Sequence, residues 1–134
     1  MDKIKSPDGK HVAELIYISE IRFGPAYFSL VIDRVKIKRR IFGQKIHWSD
    51  DSRYLAVEEW LTTDEKKGPV TRVVLIDIQL HQLTEFKTIH KGFVEDFIFK
   101  NNLFFYKEHY YDKEIVEEAE VEISSINNWR VLDF

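Results

Sequence analysis

Gln44-Lys45-Ile46-His47-Trp48-Ser49-Asp50-Asp51-Ser52-Arg53-Tyr54-Leu55-Ala56-Val57 holds the pattern that decides the fold. Ile46-His47-Trp48 ends one short strand, Ser49-Asp50-Asp51-Ser52 supplies a polar turn, and Tyr54-Leu55-Ala56-Val57 begins the next strand. A loop from Thr62 to Pro69 leads to the apolar run Thr71-Arg72-Val73-Val74-Leu75-Ile76-Asp77-Ile78, and a second turn leads to Leu83-Thr84-Glu85-Phe86. β-Branched and aromatic side chains suit a pleated, half-buried surface. Residues 44 to 87 therefore read as a four-stranded antiparallel meander.

The same order of elements precedes it. Met1 to Lys5 forms a first strand, and Ser6-Pro7-Asp8-Gly9 a tight turn in which proline fixes one φ and glycine supplies a positive one. His11 to Ile18 follows, broken by Arg22-Phe23-Gly24-Pro25. Ala26 to Asp33 is the third strand and Lys36 to Phe42 the fourth, ended by Gly43. Ser6 to Ala13 aligns with Ser49 to Ala56 at an offset of 43 residues, and Val31-Ile32-Asp33 with Leu75-Ile76-Asp77 at 44. A third, weaker unit contains Phe93 to Phe99, the turn Lys100-Asn101-Asn102, Leu103 to Tyr106, Val116 to Ile123 and a last strand, Trp129 to Leu132. Glu114 to Glu120 reads as strand ahead of a helical turn or two, because its flanks carry hairpin signals.

Ser6-Pro7-Asp8-Gly9-Lys10-His11-Val12-Ala13, then Trp48-Ser49-Asp50-Asp51-Ser52-Arg53-Tyr54-Leu55-Ala56-Val57, then a strand ending in Leu75-Ile76-Asp77, resembles the blade repeat of WD40-like and TolB-type β-propellers. In that family the Ser-Pro-Asp-Gly turn joins the two inner strands of a blade, and the later aspartate ends the third. The likeness covers two blades and part of a third, with Asp50 where the family has proline and Ser52 where it has glycine. This motif sets a turn and carries no chemistry. Repeats of about 40 to 50 residues suit a four-stranded blade, but closing a ring typically takes about four to eight blades. The expected fold is all-β: antiparallel four-stranded meanders repeated about three times (units 1–43, 44–91 and 92–134), propeller-like, with too few blades to close. An open arrangement of three sheets is expected, and a homodimer is the alternative cover for unpaired edges.

At 134 residues, 44% hydrophobic and 14% aromatic, the chain can build the core of one domain. It has no cysteine, which excludes disulfides and thiolate metal sites. Met1-Asp2-Lys3-Ile4-Lys5 lacks the apolar run of a signal peptide, and no stretch nears the roughly 20 apolar residues of a bilayer span. A cytoplasmic location without a membrane partner is expected. The net charge of −3 conceals an asymmetry: residues 1 to 48 carry ten basic and five acidic side chains, whereas 101 to 134 carry three and eight. Such polarity steers partners of one sign to one face, although charged outer strands also protect sheet edges.

His11, His47, His81, His90 and His109 lack metal-ligand spacing and read as turn or packing residues. The acid pairs Asp50-Asp51, Glu58-Glu59, Glu95-Asp96 and Glu117-Glu118 place neighbours on opposite strand faces, so turn and surface roles are expected for them. No phosphate loop, Gly-x-Ser-x-Gly or His-Glu-x-x-His is present, and neither an enzyme nor a cofactor is expected. The run Arg34, Lys36, Lys38, Arg39, Arg40 could track phosphates, with Lys36, Lys38 and Arg40 on one face of a strand. A pI near 6.0 and the lack of interleaved aromatics disfavour nucleic acid.

The loops between second and third strands, Ser19 to Pro25, Leu61 to Pro69 and Glu108 to Lys113, should emerge on one face. Tyrosines in an exposed charged loop are of the type enriched at protein interfaces, with packing of Tyr110 and Tyr111 over an exposed sheet as the alternative. The expected partner-binding set is Asp64, Glu65, Glu108, His109, Tyr110, Tyr111, Asp112 and Glu114. The expected function is that of a non-enzymatic protein-binding domain, on profile a bacterial immunity protein that occludes a cognate toxin with a basic surface. A self-associating scaffold would instead show edge pairing, and a small hydrolase a deep pocket with perturbed carboxylates.

Overall fold

The computed structural model describes residues 2–22 and 24–132. Met1 in the expected first strand, Phe23 in the expected break, and residues 133–134 lie outside the described residues. Strands hold 60% of the chain, all pairings are antiparallel, and neither sheet closes into a barrel or propeller. In chain order the strands are β1 (Asp2–Lys5), β2 (Val12–Glu20), β3 (Ala26–Ile32), β4 (Val35–Lys36), β5 (Ile41–Trp48), β6 (Tyr54–Trp60), β7 (Val70–Asp77), β8 (Gln82–Glu85), β9 (Ile89–His90), β10 (Gly92–Lys100), β11 (Leu103–Tyr110), β12 (Ile115–Glu122) and β13 (Arg130–Val131).

The expected three sheets are two. A ten-stranded sheet runs β1-β2-β3-β5-β6-β7-β8-β13, with β4 also on β3 and β9 also on β7, and a three-stranded sheet runs β10-β11-β12. The first two meanders merge because Gly43 does not end a strand. Phe42 pairs with Glu59 and Ile46 with Val57, so Gly43, Gln44 and Lys45 bulge opposite the single residue Glu58 within one continuous β5. The expected fourth strand, Lys36 to Phe42, is divided: β4 ends at Lys36, Ile37 is buried and Arg39 has φ 64°. The expected last strand of the third unit returns to the first sheet, where Arg130 pairs with Leu83 and Val131 with Gln82. Glu114 to Glu120 contains no helix; β12 runs through it.

The two polar turns have the same hydrogen bonds. Ser6 Oγ donates to Asp8 Oδ1 at 2.6 Å, as Ser49 Oγ does to Asp51 Oδ1. His11 N donates to Ser6 Oγ at 3.1 Å and Tyr54 N to Ser49 Oγ at 2.9 Å. The φ>0 position is Gly9 (73°) in one and Ser52 (64°) in the other. The turns also touch, through Asp8 N on Ser52 Oγ at 2.9 Å.

β6 and β7 are buried on both faces, which explains their unbroken apolar runs. Leu55, Val57, Val74 and Ile76 join Leu15, Leu30, Ile32 and Phe42 in a core inside the curved large sheet. On the opposite face Ala56, Val73 and Leu75 meet Val94, Phe104 and Tyr106 of the small sheet.

Candidate functional site

The three loops expected on one face do meet at one end of the molecule. Arg22 N donates to Glu65 Oε1 at 2.6 Å, Gly92 N to Pro69 O at 3.3 Å, and Tyr111 N to Lys91 O at 2.9 Å. Pro25 and Tyr111 line the same cavity. Asp64 caps the short 3₁₀ turn Glu65–Lys67 by accepting from Lys66 N.

The third loop is shorter than expected. Glu108, His109 and Tyr110 belong to β11, and only residues 111–114 make the turn. Glu108 is 2% exposed, bonded by the Tyr110 hydroxyl and 3.4 Å from Lys87 Nζ, so its carboxylate is buried and partnered within the fold. Burial, then the hydrogen bond to Glu108, raises the Tyr110 phenol, and burial pushes Tyr106 up to about 12. His109 pairs with Glu95 at 2.8 Å and stacks on Tyr111. Tyr111, Asp112 and Glu114 are exposed, and acidity continues along the edge strand: Glu117, Glu118, Glu120 and Glu122 are all exposed.

The same-face basic strand does not form. Arg40 is drawn inward, where its Nη1 lies 2.9 Å from Glu59 Oε1 and 2.8 Å from Glu85 Oε2. Arg72 bridges the same two carboxylates at 2.6 Å each, and Arg130 adds to Glu85. The result is a chain of alternating charges linking Arg40, Glu59, Arg72, Glu85 and Arg130.

Glu58-Glu59 is therefore not the surface pair expected. Its members are 3% exposed, on opposite faces of β6. Glu58 lies on the face toward the small sheet, at a cavity of about 290 Å³ walled by Trp60, Phe93 and Tyr111 with Lys45 and Glu95 at its edge. Glu58 Oε2 accepts from Val94 N at 2.8 Å; among the described residues Oε1 has only a long contact, 3.4 Å, from Trp60 Nε1. Burial raises its carboxyl to about 7, opposed by the Val94 N–H, the Trp60 N–H and the Lys45 charge. A Cβ at Gly43 would collide with Glu58 Oε1 and lie 2.7 Å from Trp60 Nε1. The bulge thus makes the room that this carboxyl occupies. Two acidic residues amid Leu55-Ala56-Val57 and Trp60, on a strand apolar on both faces, were the signal for it in the sequence.

Among the described residues no group of three or more His, Asp or Glu could hold a metal ion, and no helix is long and apolar enough to cross a membrane. Fold and site together define an all-β, two-sheet protein with an acidic sheet edge beside an aromatic cavity. No protein-family model, curated protein or solved structure matches the chain.

Proposed function

We propose that this chain is a non-enzymatic protein-binding domain that occludes a basic partner, in the manner of an immunity protein bound to a cytoplasmic toxin. The observation that carries this reading is β12. It is the outer strand of the small sheet, with one flank of backbone groups unpaired by any described strand. Residues 111–122 carry six exposed acids against one lysine. Ile115 and Val116, 39% and 52% exposed, add apolar contact area between them. A second copy pairing along this edge would set glutamate against glutamate, which is destabilising; a basic surface has no such penalty and is attracted over distance. Reversing Glu117, Glu118 and Glu120 to lysine tests it: partner affinity falls while the thermal midpoint holds, since these side chains make no ion pair among the described residues. Unchanged affinity would contradict the reading.

A small hydrolase is the second reading, favoured by the buried, proton-retaining Glu58 in a cavity. It requires turnover that Glu58→Gln abolishes.

A further inference from the structure

We infer that the Glu58 cavity receives a lysine side chain of the protein partner, its ammonium on the Glu58 carboxylate and its stem between the rings of Trp60, Phe93 and Tyr111. This rests on the protein-binding reading and names what that partner inserts. Four observations support it. The cavity, about 290 Å³, is at the small end of ligand pockets and suits one side chain. Its rings are not coplanar: Trp60 and Phe93 have centroids 5.9 Å apart at 44°, and Phe93 and Tyr111 5.3 Å apart at 83°. Such an arrangement turns several π faces and edges on a guest, and ring faces attract cations.

Glu58 Oε2 is engaged by Val94 N, leaving Oε1 as the carboxylate oxygen with acceptor capacity to spare. One oxygen suits the compact ammonium of lysine; arginine's planar fork seeks both oxygens of a carboxylate. Finally, Tyr111 belongs to the cavity wall and begins the acidic turn that leads into β12, so a partner on that edge reaches the opening. Lys45, exposed at the rim, competes for the same carboxylate.

The test titrates the whole chain at pH 8, where Glu58 is ionised, with Nα-acetyl-lysine methylamide, following the Trp60 indole N–H resonance. Saturable binding is expected; the arginine counterpart binds more weakly, and the Nε-acetylated lysine counterpart does not bind. Glu58→Gln weakens binding about tenfold, the value of one charge-assisted hydrogen bond, and Lys45→Gln strengthens it. Tyr111→Ala, at a residue 55% exposed and so tolerated by the fold, weakens it too. No saturable lysine binding, a preference for arginine, or binding indifferent to Tyr111→Ala would overturn the proposal. Because the probe needs no partner, the cavity is judged apart from the acidic edge. Probe binding by a protein that captures no partner would assign the cavity to a free amine instead.

Discussion

Glu58 carries a pH dependence that can be measured. With 4.5 as the unfolded reference and about 7 in the folded chain, both states hold the proton below pH 4.5. Between pH 4.5 and 7 the unfolded chain releases it first, so stability falls over that window and levels off above it. The shift corresponds to about 3 kcal/mol. In Glu58→Gln that loss disappears. The urea midpoint of the variant should fall less than that of the wild type from pH 5 to pH 8; parallel curves would contradict the assignment. Gly43→Ala should cost about 1–3 kcal/mol by overpacking and displace Glu58 from the cavity, read as a lower urea midpoint with a shifted Trp60 indole resonance. Glu58 was hard to read from sequence because adjacent glutamates on a strand are ordinarily solvated. Its burial depends on the small sheet, built from residues 92–122, covering the outer face of β6.

At the level of turns and strands much was legible. Ser6-Pro7-Asp8-Gly9 and Ser49-Asp50-Asp51-Ser52 announce themselves locally, because their hydroxyl and carboxylate groups bond the backbone within five residues. Ser49→Ala removes the bond to Tyr54 N and the one to Asp51 Oδ1 and should cost about 1–2 kcal/mol in a denaturation curve, and Ser6→Ala a similar amount; a change in only one would show that the turns are not energetically alike. Strands β2, β3, β6, β7, β10 and β11 follow from β-branched and aromatic runs. Gly43 reads locally as a strand end, but glycine marks bulges as well as termini, and pairing across the strand decides which. Glu108 to Tyr110 looked like a loop because Lys107, Glu108 and His109 are polar. Yet Glu108 faces inward, satisfied by Tyr110 and Lys87, in a strand that extends beyond its apolar part.

For the molecule as a whole, the sequence conveyed all-β antiparallel meanders and an acidic C-terminal third, but not how the meanders share edges. Whether β5 joins β3 to β6, and whether β13 returns to β8, depends on long-range pairing that local pattern does not encode. That sharing gives one continuous ten-stranded sheet with a three-stranded sheet on its face, leaving β12 as an outer acidic edge and the Glu58 cavity at the end where the loops meet. The most direct measurement is parallel affinity capture from native cell extract with the wild-type chain and with Glu117→Lys/Glu118→Lys/Glu120→Lys, quantified by mass spectrometry. A single stoichiometric partner with a basic surface, retained by the wild type and lost by the variant, is the predicted result. Recovery of the chain alone, or a partner held equally by both, would contradict protein binding through this edge.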